Sequence, residues 1–517
     1  MLICPLCAFR FSLYTVDMPH HHIKHRNWEP WVIAIILVVA FVFRFQHIAT
    51  APPGLYPDEA MNGNNALEAI ATGDYKVFYP DNNGREGLFM NIQAQSIKLF
   101  SNTPWALRIV SALFGLLTVL GLYKLAKLLF NWEIAAFASF FMAISTWHVI
   151  FSRIGFRAIM APFFLVWGFY FFWKGLRSSR MWDFAISGIF WGLGFYSYIS
   201  FRVMPLALLF ALWAYWYSVK KDFSHEKYEH TKIQLIRGFA MLMVVAILVV
   251  LPLGIYFYTH SGDLIGRTGQ LSIFSSENPI ASFAINVGKT FGSFNVIGDY
   301  NWRHNISGAP LLFWPIGLFF VIGFFRSLHK LVKTRRTHGH YSSVQVMLLS
   351  WFFIGLLPVV LSNEGIPHAL RAIVIIPPVM IFAGEGLWWL YDFIKKERRD
   401  FVAGFAVIIF LFALMLNSYH AYFTTWAKNP EVANAFSSSY VELGNKLNTL
   451  PNNEKKYVVV NAGGELVRGI PMSAQTVMYI TDTWTPEKQK AKNLYYLTEE
   501  QYNAGKYDRK ASIFFLE

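Results

Sequence analysis

Two adjacent carboxylates, Asp58 and Glu59, follow directly on Pro52-Pro53-Gly54-Leu55-Tyr56-Pro57, just beyond the first long apolar run, Trp31 to Phe43. A carboxylate at such an exit can serve as a general base toward a hydroxyl, and a neighbouring acid can orient the base or its substrate. The same residues also have a structural use. Asp58 can cap a helix and Glu59 can sit in its first turn, the helix running to Thr72 and ending at Gly73. Ala66, Leu67, Ile70 and Ala71 give that helix an apolar face suited to the membrane surface. Downstream, Asp81-Asn82-Asn83-Gly84 reads as a turn that delivers Arg85 and Glu86. Alone these two are a solvated pair of small energetic weight. Beside Asp58 they would wall a polar cavity.

A second set of residues suits an anion. Arg153 and Arg157 flank Ile154-Gly155-Phe156, Arg202 follows Tyr198-Ile199-Ser200-Phe201, and His368 and Arg371 bracket Ala369-Leu370. Arginine at the end of a spanning helix often only snorkels to the interface. Its planar fork nevertheless matches phosphate oxygens well where water is scarce. Arg44, near the end of the first apolar run, could join such a site or pair with a loop carboxylate.

The elements that must position these residues are membrane helices. The 517-residue chain is 55% hydrophobic and 15% charged, where soluble domains carry about 25% charge. Aromatic residues reach 18%, as expected of lipid-facing helices with interfacial Trp and Tyr. Runs of about 20 apolar residues predict eleven spans near 30–48, 104–123, 133–151, 158–174, 182–199, 202–218, 237–257, 309–326, 345–362, 371–391 and 401–418. Lys and Arg alternate across them, about 22 on one side against about 10 on the other, which sets the N-terminus inside and the C-terminus outside. The same asymmetry accounts for the net charge of +14 without a nucleic-acid partner. The expected organisation is a cytoplasmic leader over 1–29, a transmembrane domain over 30–418 whose first outer loop (49–103) carries the chemistry, and an extracytoplasmic domain over 419–517. In that last domain Tyr457–Val460, Val477–Ile480 and Ser512–Leu516 read as strands and Glu431–Leu447 as helix, a small α/β unit. Cys4 and Cys7, with His20, His21 and His22, form a weak metal signal in the leader.

An apolar span, a Pro-rich exit into Asp58-Glu59, a long first outer loop, many further spans and a polar tail resemble the GT-C glycosyltransferases. The similarity runs over about residues 40–400 and is nearest to bacterial relatives of protein O-mannosyltransferases and of the lipid A aminoarabinose transferase. It rests on Tyr56 to Leu88 and on the phrases around Ser152-Arg153, Tyr198 to Arg202 and His368 to Pro377. The resemblance implies a polytopic all-α membrane protein of the GT-C fold in a bacterial inner membrane. It implies inverting transfer of a sugar from a polyprenyl-phosphate donor to a lipid, glycan or protein acceptor. Asp58 would be the base and Glu59 an orienting acid. Arg85, Glu86, Arg153, Arg157, Tyr198, Arg202, His368 and Arg371 would hold donor and substrate. No metal-ligand set appears beyond the carboxylate pair, and a divalent cation beside the acids stays open. Two other readings compete: a polysaccharide ligase or polymerase, using the 258–308 loop, and a transporter, with Glu385 near the midplane and Pro377-Pro378, Gly384 and Gly386 breaking a helix.

Overall fold

The computed structural model describes residues 28–264, 272–334, 339–363, 365–397 and 400–517. Cys4, Cys7, His20–His22, Arg335, Arg336, Arg398 and Arg399 lie outside the described residues. The chain is predominantly helical: α1 (Glu29–Phe45), α2 (Pro57–Thr72), α3 (Leu88–Phe100), α4 (Pro104–Leu129), α5 (Trp132–Ile144), α6 (Thr146–Ser152), α7 (Met160–Ser178), α8 (Met181–Gly194), α9 (Pro205–Asp222) and α10 (His225–Thr259) come first. Helices Pro279–Asn295, Trp314–Thr334, Gly339–Val360, Ile376–Glu397 and Asp400–His420 follow.

Every expected span falls on a helix, yet the count differs from eleven. Eight helices among the described residues are long and apolar enough to cross a membrane, or nine if α5 and α6 act as one span bent by 60°. With 17 and 14 residues, α1 and α8 fall short of the ~20 residues that a perpendicular crossing needs.

The bend between α5 and α6 has a visible cause. Ser145 adopts an extended conformation at the break. The carbonyls of Met142 and Ala143, left at the end of α5, accept hydrogen bonds from the Arg44 guanidinium at 3.2 and 3.1 Å. A buried cation at a helix C-terminus satisfies orphan carbonyls and the helix dipole together. Arg44 therefore neither joins an anion site nor pairs with a loop carboxylate; its remaining described partners are Ala40 O and His148 Nδ1.

The break expected around Gly384 and Gly386 does not occur. Ile376–Glu397 is one helix, with Pro377 and Pro378 in its first turn, where proline costs little. The glycines instead permit close packing: a Cβ at Gly386 would lie 2.0 Å from Phe319 O, and one at Gly323 would lie 1.7 Å from Phe382 O. Glu385 is buried but paired, accepting from Lys330 Nζ at 2.6 Å and Ser327 Oγ at 3.1 Å.

Beyond the last apolar helix, helices Pro430–Ala435 and Ser438–Thr449 precede a three-stranded parallel sheet. The short hairpins are β1 (Phe78–Tyr79) with β2 (Arg85–Glu86), and β4 (Leu466–Val467) with β5 (Ile470–Pro471). In the sheet β3 (Lys456–Val460) lies between β6 (Leu494–Thr498) and β7 (Ser512–Leu516), with Tyr457 opposite both Tyr495 and Ile513. Val477–Ile480 belongs to helix Gln475–Thr481 and not to a strand. A short apolar run has no period of its own to decide the matter, and this one is buried by packing against α2 and helix Ser438–Thr449. Its anchors are Thr476 Oγ1 to Leu55 O (2.9 Å), Asn64 Nδ2 to Gln475 Oε1 (2.8 Å) and Tyr479 OH to Thr103 O (3.1 Å). For the same reason α2 does not float on the membrane surface: Ala60, Ala66 and Ala69 are fully buried between its neighbours.

Candidate active site

Helix α2 and the β1–β2 hairpin build the site. The helix begins two residues earlier than expected, at Pro57, so Tyr56 and not Asp58 occupies the cap position; Gly73 ends it in the left-handed conformation (φ +74°). Pro at the first helical position presets the turn, and Asp58 is thereby freed from capping. Its side chain is 36% exposed. Asp58 Oδ1 accepts from Arg85 Nη2 at 2.6 Å and from Asn82 Nδ2 at 2.8 Å. Arg85 is itself buried and forks between Asp58 and Asn62 Oδ1, at 2.9 Å. Asp58 and Asn62, one turn apart, thus present one polar face of α2 to the hairpin.

The turn at Asn82 and Asn83, both with positive φ, and Gly84 makes the hairpin tight enough for this. Asp58, Asn62, Asn82, Arg85, Arg157 and Tyr198 line a cavity of about 140 Å³, together with Asn83, Phe156, Ala158 and Leu370. Glu86 stands behind the wall, buried, and carries two cations: Arg157 Nε at 3.0 Å and Arg202 Nη2 at 3.1 Å. Arg202 also donates to Leu264 O, while Arg157 lies over the Tyr198 ring. Three arginines, 85, 157 and 202, surround two carboxylates, 58 and 86, leaving an excess of one positive charge (3 − 2 = 1). A phosphate would find there both charge and planar donors.

Other expected site residues sit elsewhere. Glu59 is wholly buried and does not line the cavity. Each of its oxygens accepts two donors: Tyr56 N–H (3.4 Å) and Arg108 Nη2 (3.3 Å) on Oε1, Arg108 Nε (3.1 Å) and Gly155 N–H (2.6 Å) on Oε2. Arg108 closes the knot by donating to Pro52 O and Gly54 O, both at 2.7 Å. Glu59 thus locks the Pro-rich exit and α2 to α4 and to the loop after α6. Arg153 is also fully buried, donating to Phe43 O, Gln46 O and Ala51 O and stacked near Tyr422 and Phe423. Its fork is filled by backbone carbonyls, so it holds the end of α1 rather than facing a phosphate. Arg371 is mostly buried and donates to Ser362 Oγ.

His368 belongs to a separate cluster. Asp299, His304 and His368 place one potential ligand atom each within 4.8 Å of one another. Asp299 Oδ2 accepts from His304 Nδ1 (3.1 Å) and Ala369 N–H (2.8 Å). Burial alone would raise the Asp299 pKa, but the hydrogen bond and charge of His304, the Asn301 N–H and His368 together hold it below the usual value of 3.8. A two-imidazole, one-carboxylate set suits a transition-metal ion; the sequence signal for it was weak, because its members are spread over 70 positions.

Sequence reasoning missed Asn62, Asn82, Arg108 and Arg303. Asn62 lies one helical turn from Asp58, a spacing that would have revealed it. Arg303, whose guanidinium sits 4.1 Å from the Tyr56 ring centroid, gave no local signal.

Residues 88–256 match the family model for dolichyl-phosphate-mannose-protein mannosyltransferase, a segment that starts after Asp58 and includes Arg157, Tyr198 and Arg202. No curated protein matches the sequence. Among solved structures, the chain is similar to the Archaeoglobus fulgidus oligosaccharyltransferase in the apo form (14% identity, TM-score 0.52, 92% of this chain and 65% of that one). It is similar to the same organism's AglB in complex with an inhibitory peptide and a dolichol-phosphate (14%, 0.53, 92% and 70%). It is also similar to ArnT from Cupriavidus metallidurans bound to undecaprenyl phosphate (14%, 0.51, 94% and 89%). The chain thus spans about two thirds of the archaeal enzymes' length and most of ArnT's. At 14% identity these likenesses are of fold, that of membrane enzymes such as AglB and ArnT, and the family model matches one segment of the chain, residues 88–256.

Proposed function

We propose that this protein is an inverting glycosyltransferase that moves a sugar from a polyprenyl-phosphate carrier to an acceptor hydroxyl on the non-cytoplasmic face of a bacterial inner membrane. The observation that carries the reading is the 36% exposed Asp58, held through Oδ1 by Arg85 and Asn82 in a cavity that Arg157 also lines. Both hydrogen bonds fall on Oδ1, which leaves Oδ2 for an acceptor. The acceptor O–H gives its proton to Asp58 Oδ2 as its oxygen attacks the anomeric carbon. The bond from that carbon to the carrier oxygen breaks, and the electron pair leaves with the phosphate. One displacement without an enzyme nucleophile inverts the centre. Arg157 in the cavity wall, with Arg202 on the other oxygen of Glu86, supplies positive charge toward the phosphate as its charge develops. Glu59 and Arg153 act as positioning residues that fix α2 and the end of α1. The lipid carriers in the AglB and ArnT structures, and the family matched over 88–256, support a lipid-linked donor.

The test is sugar transfer in membranes supplied with radiolabelled polyprenyl-phosphate sugars, comparing wild type with Asp58→Asn. The expected loss is about 10²–10⁴-fold, the usual contribution of a positioned general base. A variant as active as wild type, or wild-type membranes that consume no lipid-linked sugar, would overturn the mechanism.

A further inference from the structure

A second cavity, of about 230 Å³, opens on the other side of α2, between that helix and the C-terminal α/β unit. Its lining includes Asn64, Asn65 and Glu68 from α2, Arg468 from the β4–β5 turn, and Trp484 and Gln489. We propose that this cavity is a binding site for one ring of a neutral saccharide, distinct from the Asp58 cavity.

The wall is chemically unfinished. Asn64 and Asn65 are nearly fully buried, yet among the described residues Asn64 Oδ1 and Asn65 Nδ2 have no hydrogen-bond partner. Buried polar atoms are almost always paired, and here an unpaired acceptor and an unpaired donor stand on successive residues that both line the cavity. Arg468 is held here at a conformational cost. It takes φ +52° ahead of Gly469 at φ +83°, a left-handed backbone unusual for a long side chain. The turn places its guanidinium on Glu68 Oε2 at 2.6 Å and on Asp81 at 3.3 Å. Trp484 commits its N–H to Asp482 Oδ1 at 3.1 Å and carries Lys488 Nζ 5.0 Å from its ring centroid; the part of the indole that lines the cavity is therefore apolar ring and not a donor.

Amides, a carboxylate–guanidinium pair and an indole surface are what a polyol needs. Vicinal hydroxyls take paired donors and acceptors, and the C–H side of the ring packs on the aromatic. Glu68 and Arg468 cancel in charge, so nothing selects a phosphate. The volume is below the roughly 300–1,000 Å³ of sites that enclose drug-sized ligands, which suits a single ring and excludes a polyprenyl tail. The cavity borders the first one through the Asp81–Gly84 turn: Asn83, in the Asp58 cavity wall, donates to Glu465 at 2.5 Å, and Asp81 holds Arg468. A glycan crossing that turn would have one ring in each cavity; this use as an acceptor subsite rests on the transferase reading, whereas binding itself does not.

The experiment is saturation-transfer NMR on the full chain in detergent, with methyl glycosides of glucose, mannose, galactose and N-acetylglucosamine as probes and inorganic phosphate as the competitor. At least one glycoside is expected to bind wild type and Asp58→Asn alike, without displacement by phosphate, and to bind Trp484→Leu about tenfold more weakly. Because Trp484 is part of the domain core, Gln489→Trp supplies a second variant that fills the cavity from its rim and is expected to abolish binding. No glycoside bound by wild type, displacement by phosphate, or affinity lost in Asp58→Asn and kept in Gln489→Trp would each overturn the proposal. Loss of sugar transfer with glycoside binding intact would instead count against the transferase reading alone.

Discussion

Replacing Glu59 by Gln tests whether the second carboxylate of the pair is an anchor or a reagent. The side chain and its partner Arg108 are both completely enclosed, and both carboxylate oxygens accept two donors each. A glutamine amide has one oxygen and one NH2, so either orientation turns a donor toward two donors and leaves Arg108 without its counter-charge. Breaking a buried pair by neutralising one member costs about 3–5 kcal/mol. The lower end applies here, because Arg108 retains the Pro52 and Gly54 carbonyls. A loss of about 3 kcal/mol should therefore appear in denaturant unfolding in detergent, followed by far-UV circular dichroism. Activity should fall with the folded fraction and recover under stabilising conditions. A Glu59→Gln protein as stable as wild type would refute the anchoring argument, and one that is stable but inert would return Glu59 to the chemistry.

Three further outcomes are expected. Glu86→Gln removes the shared counter-charge of Arg157 and Arg202, whose side chains are 11% and 24% exposed; transfer should slow by roughly tenfold through lost positioning, with a melting temperature lowered less than in Glu59→Gln, because both guanidiniums keep some contact with water. Gly386→Ala sets a methyl against the Phe319 carbonyl and should cost about 1–3 kcal/mol by overpacking, measurable as a lower melting temperature without a change in substrate preference. The third concerns pH. Asp299 is held below its ordinary pKa, so its stabilising contribution is complete above pH 3.8 and fades as pH falls through the lowered value. Melting temperatures taken from about pH 5 down to about 3 should therefore drop more steeply for wild type than for Asp299→Asn, and parallel curves would show that the Asp299–His304 pair contributes nothing.

Sequence alone determined what depends on a run or on one residue's conformational habit. Apolar length located the eight helices, among the described residues, that are long and apolar enough to cross a membrane, Gly73 ended α2, and the β-branched and aromatic runs at 457–460 and 512–516 became strands of one sheet. The Pro-rich exit into Asp58, and the turn that brings Arg85 beside it, were likewise legible, since both lie within one loop. Tertiary structure decided whatever needs a distant partner. Glu59 and Asp58 are neighbours in sequence, yet only Arg108, 49 positions away, makes one an anchor and leaves the other open to the cavity. Arg153 and Arg157 look equivalent along the chain. One meets the carbonyls at the end of α1 and the other meets Glu86. Val477–Ile480 carried no period strong enough to choose, and burial against α2 made it helical. Charge and polarity state what a side chain requires, and the fold determines which of several partners meets the requirement.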